Sequence, residues 1–264
     1  MNLRVRISRC QLSQVKVFWR EVGAGKNIIF LHGAWHNSAV WLPIMLDLAN
    51  DYHCIAPDLL GFGDSQLTTE SDYSIDLIVE FLSEYLSNLK LDKVVLLGEG
   101  FGAWIAASFV LKHPEKIDKL ILIEPTGLEN KEIKWQWKWG RCLSQPVPII
   151  FWLLKCWSLY DRTGSQAYLD LARQLRLSPA THQLLCQRRW ADIANELLGE
   201  NLSLIEIPAL IIAGKQANQT VLNNSHTYAN LIPKCDLRLI PEADENLLIT
   251  HLQLVVKSIT DWLK

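Results

Sequence analysis

Between Lys93 and Pro125 the chain reads KVVLLGEGFGAWIAASFVLKHPEKIDKLILIEP: an apolar run, a glycine-rich turn, a helical stretch and a second apolar run. Neither run alternates polar with apolar, so each predicts a strand covered on both faces, the condition of a parallel sheet between helical layers. Two parallel strands joined by a helix need a right-handed crossover, which leaves only a small set of α/β architectures. Similar runs recur at HCIAP, ALIIAG and DLRLIP, with NIIFLHG entering a glycine turn ahead of them. Helices are predicted over roughly 38–49, 74–89, 101–113, 220–230 and 246–263, and an antiparallel edge hairpin over roughly 3–9 and 14–21. The expected class is therefore α/β, a mostly parallel doubly wound sheet whose ligands sit at the carboxyl ends of the strands.

Residues 127 to 202 break this rhythm. They contain no convincing strand, carry Pro146, Pro148 and Pro179, and hold six of the eleven tryptophans: Trp135, Trp137, Trp139, Trp152, Trp157 and Trp190. The pattern resumes at IPALIIAG, which predicts a core of residues 1–126 and 203–264 with a helical, tryptophan-rich cap, 127–202, inserted after the sixth strand. Within the cap, PVPIIFWLLKCWSLY is apolar enough to line a ligand cavity.

With 26 basic and 28 acidic side chains the net charge is −2, which gives no electrostatic reason to expect nucleic acid. Cys10, Cys54, Cys142, Cys156, Cys186 and Cys235 are scattered, without a CxxC pair or metal-ligand spacing. They read as reduced thiols in a cytoplasmic compartment, and no metal or cofactor is expected. MNLRVRISRC lacks the apolar core of an export signal, and no apolar run approaches the ~18 residues of a membrane span.

Four motifs in order resemble the α/β-hydrolase fold family: His32-Gly33-Ala34-Trp35 after a strand, Asp58-Leu59-Leu60-Gly61-Phe62-Gly63-Asp64-Ser65, the strand–turn–helix around Gly98-Glu99-Gly100-Phe101-Gly102, and IPEADE before a terminal helix. The resemblance spans nearly the whole chain. It implies a nucleophile elbow at Gly98–Gly102, an oxyanion hole built from the backbone N–H groups of Trp35 and Phe101, and an acid and a histidine on later loops.

The residue types depart from that pattern. Where the family places the nucleophilic serine stands Gly100, which has no side chain; where it places the acid, in Gly214-Lys215-Gln216-Ala217, stands Ala217; and Glu245 occupies the place of the histidine. The resemblance therefore implies a member without acyl-enzyme chemistry. Its ligand pocket would be lined by Gly33, Ala34, Trp35, Gly100, Phe101, Glu124 and Glu245, and its partner would be a hydrophobic small molecule or a protein.

Further readings stay open. Glu245 and Glu124, two carboxylates in one dry pocket, could serve as acid and base for a lyase, isomerase or hydratase; against this, Glu124 reads equally as a strand-end cap or ion-pair partner. Glu99, one residue ahead of the tip, reads as a hydrogen-bonding residue beneath the substrate, and His36 is the histidine nearest the pocket mouth, whereas His226 and His251 lie out of register. Lys131, Lys134, Lys138 and Arg141 form one helical stripe beside Trp135, Trp139 and Cys142, the composition of a peripheral membrane or partner face, or of a cap helix with its tryptophans turned inward. Finally, Gly98-x-Gly100-x-x-Ala103, with Glu124 ending the next strand, also fits a dinucleotide fingerprint, although it does not open the first βαβ unit.

Overall fold

In a computed structural model, which describes residues 4–67, 73–144, 162–244 and 246–264, the unalternating apolar runs become the interior strands of one sheet. β1 (Arg6–Gln11), β2 (Val15–Gly23), β3 (Lys26–Leu31), β4 (Tyr52–Pro57), β5 (Gln66–Leu67), β6 (Val94–Glu99), β7 (Ile117–Ile123), β8 (Ala209–Gly214) and β9 (Cys235–Ile240) are arranged in the order β1-β2-β4-β3-β6-β7-β8-β9, with the two-residue β5 on β2. β1, β2 and β4 pair antiparallel; from β4 through β9 every pairing is parallel. The alternating segment is thus the antiparallel edge, and every residue of β8 is buried, as a strand covered on both faces must be.

The helices obey the same logic. α1 (Leu42–Leu48) follows a 3-10 turn at Ser38–Trp41, capped by Asn37, whose side chain accepts from the Ala39 amide at 2.9 Å. Trp41 of the turn and Ile44 and Met45 of the helix join Phe30 and Ile28 in one buried cluster. α2 (Ile75–Asn88) buries Ile78, Val79, Leu82 and Leu86 on one face. α3 (Phe101–Lys112) differs, since all ten residues from Phe101 to Val110 are buried. A helix apolar all round belongs in the centre of an α/β core. The helix expected over 246–263 is broken at His251, whose φ of −128° ends one short turn, Leu247–Thr250. The break leaves Leu247 in the core while Leu252–Leu263 begins anew and buries Val255 and Ile259.

The chain divides into two compact units. Met1–Ser71, Ile75–Leu128 and Leu198–Lys264 form the sheet unit; Asp72–Ser74 and Glu129–Leu197 form the second. Within the second unit α4 (Lys131–Ser144) is capped by Asn130, whose side chain accepts from the Ile133 amide at 2.9 Å. Trp135 and Trp139 of α4 pack on Leu171, Leu175 and Cys186. Tyr168 lies against both indoles, at centroid distances of 5.2 and 4.7 Å. A two-pronged ion pair between Arg188 and Glu196, at 2.6 and 2.8 Å, holds the end of the unit, and the Arg188 carbonyl accepts from the Trp137 indole at 3.0 Å. No helix among the described residues is long and apolar enough to cross a membrane. PVPIIFWLLKCWSLY lies outside the described residues, as do Trp152 and Trp157.

Candidate functional site

Parallel strands aim their carboxyl ends to one side of the sheet, and the turns that follow β3, β6, β7 and β8 meet there. The sharpest is at Gly100, with φ 54° and ψ −110°. That backbone suits glycine and strains any residue with a side chain. It is fastened on both sides: the Gly100 amide donates to the Ile123 carbonyl at 2.9 Å, and its own carbonyl accepts from the Thr126 hydroxyl at 3.0 Å and from the Trp104 amide at 3.2 Å. A Cβ built on Gly100 meets nothing within 4 Å. The turn is intact and the space above it is open.

Phe101 is the first residue of α3, so its amide has no acceptor within the helix, and Gly100 supplies no side-chain cap. Beside the turn runs an aromatic series: His32 to Phe62 at 5.3 Å, Phe62 to Phe101 at 5.9 Å, and Phe101 to Trp104 at 6.0 Å. The first amide of α3 thus stands beside a series of aromatic rings.

The loop after β3 carries His32, Gly33, Ala34, Trp35 and His36. His32 is wholly buried; its Nδ1–H donates to the Gly33 carbonyl at 2.8 Å and its Nε2 accepts from the Leu59 amide at 3.0 Å. Burial pushes its pKa down, so this imidazole is a neutral structural link. Trp35 is an exposed indole. Glu99 turns from the end of β6 toward this loop, where its Oε2 accepts from the Gly33 amide at 2.9 Å and lies 3.5 Å from Nδ1 of His36.

Glu124 follows β7 with a left-handed φ of 47° and is buried. Its amide donates to the Ile212 carbonyl at 2.9 Å and its Oε1 accepts from the Gly214 amide at 3.3 Å. The carboxylate therefore bridges the ends of β7 and β8. Ala217 is buried in the loop after β8, which is tied to the loop after β9 by the Gln216 amide donating to the Ala243 carbonyl at 2.8 Å. Glu245 lies outside the described residues.

On α4 the tryptophans follow the inward of the two expected arrangements. Trp135 and Trp139 are turned into their own unit, Lys134 pairs with Glu129 and lies over the Trp190 ring, and Arg141 lies over Trp137 and donates to the Arg188 carbonyl at 3.2 Å. Lys131 and Lys138 are exposed. The stripe of cations is real, but the tryptophans beside it are packed.

Two groups escaped the sequence reading. Thr126 holds the Gly100 carbonyl and is itself held by Tyr228, a wholly buried phenol 102 residues away that donates to the Thr126 carbonyl. Arg20 and Ser38 complete the shell of Asp58. No spacing rule connects such distant positions; only the fold does.

The chain matches the model of the alpha/beta hydrolase fold family over residues 26–157. A 2-hydroxymuconate semialdehyde hydrolase of Pseudomonas sp. (strain CF600) is 25% identical over 261 residues, 91% of this chain and 88% of that protein. The 1-acylglycerol-3-phosphate O-acyltransferase ABHD5 of Mus musculus is 32% identical over 130 residues, 48% of this chain and 37% of that protein. Among solved structures, a thermophilic esterase from Thermogutta terrifontis superposes with a TM-score of 0.74 at 18% identity, covering 97% of this chain and 98% of that one. At that identity the likeness is one of fold.

Proposed function

The chain belongs to the α/β-hydrolase fold family, and from that premise we propose that it binds a hydrophobic small molecule and carries out no acyl-enzyme chemistry. The observation that carries this reading is Gly100: a sharp turn that suits glycine, with open space above it and no side chain to react. Acyl transfer needs a nucleophile with a base in hydrogen-bond reach and an acid behind it. The residue types at the corresponding positions are Gly100, Glu245 and Ala217. A helix-start amide beside aromatic side chains is the composition of a small-molecule site. The names of the two relatives refer to a semialdehyde and to an acylglycerol phosphate, both of which carry a carbonyl group. We assign the ligand to that class, with its carbonyl oxygen at the Phe101 amide. The engagement of Glu124 with Gly214 and the packing of Trp135 and Trp139 favour this reading over an acid–base enzyme and over a membrane-docking cap.

A fluorophosphonate probe should leave the purified protein unlabelled, and p-nitrophenyl butyrate should show neither burst nor saturable turnover. Mass spectrometry of an organic extract should find an apolar carbonyl compound carried with the protein. Stoichiometric labelling, or turnover lost on substituting Phe101, would refute the reading. Gly100→Ser should fold, because its Cβ enters open space, yet lose about 1–3 kcal/mol to the left-handed backbone. It should stay unlabelled, since an unactivated serine hydroxyl is a weak nucleophile.

A further inference from the structure

One carboxylate oxygen joins two parts of the site. Oε2 of Glu99 accepts from the Gly33 amide at 2.9 Å and faces Nδ1 of His36 at 3.5 Å, while the His36 amide donates to the Gly33 carbonyl at 3.2 Å. The loop after β3 is therefore closed upon itself by backbone and fastened to the residue preceding Gly100 by a side chain. We propose that Glu99 and His36 form a proton-linked clasp which holds this loop against the turn when His36 is charged and loosens it when His36 is neutral. Access to the ligand site would follow the state of the clasp; that consequence rests on the binding reading above, whereas the clasp does not.

The charged and titratable groups around His36 decide the direction. Glu99 faces it from the end of β6; His32, from the end of β3, is kept neutral by burial, and His36 further disfavours its charged form; and Asp58, at the end of β4, acts on His32 in the opposite direction. The Glu99 contact outweighs the desolvation of the half-exposed ring, so the pKa of His36 is raised above the usual imidazole value. A raised pKa in the closed loop means that the stabilisation is fully present below the ordinary value and is lost as pH rises through the raised one. A neutral His36 still accepts or donates one hydrogen bond but no longer answers the charge of Glu99.

Hydrogen exchange of the amides in residues 33–38, corrected for intrinsic chemical exchange, reads the clasp without any ligand. Protection should be greater at about pH 6 than at about pH 8.5 by about two- to fivefold, the effect of one partly exposed ion pair. The difference should vanish in His36→Gln and in Glu99→Gln. By NMR, the His36 ring should titrate above its ordinary value, and return toward it in Glu99→Gln. Protection that follows pH equally in all three proteins, or a His36 that titrates at its ordinary value, would overturn the clasp whatever the ligand proves to be. Loss of the fluorophosphonate result above would instead overturn the binding reading and leave the clasp standing.

Discussion

Asp58→Ala is expected to cost about 3–5 kcal/mol of unfolding free energy, the usual penalty for removing one partner of a buried ion pair. The carboxylate is almost fully buried, and donors meet both of its oxygens. Oδ1 accepts from the Ser38 amide at 2.7 Å and from the Ser38 hydroxyl, and Oδ2 accepts from the Asp64 amide at 2.8 Å. Nη1 of Arg20 stands 3.7 Å away and also donates to the Ser38 hydroxyl. Alanine would strand these donors and leave the guanidinium without its counter-charge. Asp58→Asn keeps the shape but turns an N–H toward one existing donor, so its loss should be smaller, about 1–3 kcal/mol. Urea denaturation of the two variants tests the ordering. Equal losses would mean that volume, not charge and hydrogen bonding, sets the demand at this position.

The same network explains how much of the molecule could be read in advance. β4 ends in a motif legible as D-x-x-G-x-G-x-S, because local hydrogen bonds fix a turn: the Ser65 amide donates to the Phe62 carbonyl at 3.0 Å and the Gly61 amide to the Ser65 carbonyl at 3.1 Å. Contacts within a few residues leave a spacing, and spacing is visible in one sequence. Arg20 and Ser38 leave none, since they reach Asp58 only after β2 and β4 have paired. The parallel sheet was legible for a related reason: a strand covered on both faces must be apolar at every position, and the runs at β6, β7 and β8 declare it without knowledge of their neighbours. The direction of the tryptophans on α4 was not legible. A periodic pattern shows that Trp135 and Trp139 share a face, but whether membrane, partner or the unit's own Tyr168 and Leu171 covers it is a tertiary fact. His36 was placed at the mouth by sequence position alone. Its partner Glu99 is 63 residues further on, and the pair exists because β3 and β6 lie side by side, with Leu31 opposite Gly98.

Gly102→Ala is expected to be at least as damaging to the site as the loss of Asp58, and for a purely geometric reason. A Cβ built on Gly102 would lie 2.1 Å from the Leu31 carbonyl oxygen and 2.7 Å from that of His32, both backbone atoms at the end of β3. No rotamer change can relieve such a clash; α3 and β3 must separate, with a loss of about 3 kcal/mol or more, the upper end for overpacking. The loop that carries Gly33 and His36 begins at the displaced atoms, so the protection of residues 33–38 should fall along with the denaturation midpoint. A loss below about 1 kcal/mol would contradict this close approach. Gly98 meets the same constraint from the other side, its Cβ falling 2.3 Å from the Gly102 carbonyl oxygen. The outer glycines of the Gly98-Glu99-Gly100-Phe101-Gly102 turn are thus fixed by how tightly a helix is pressed against a strand, and they are required whether or not anything reactive stands between them. Only the middle position is free of such a contact. A chain can therefore keep the tight helix-on-strand frame of this turn whatever stands at its middle, and here the middle residue is a glycine facing open space.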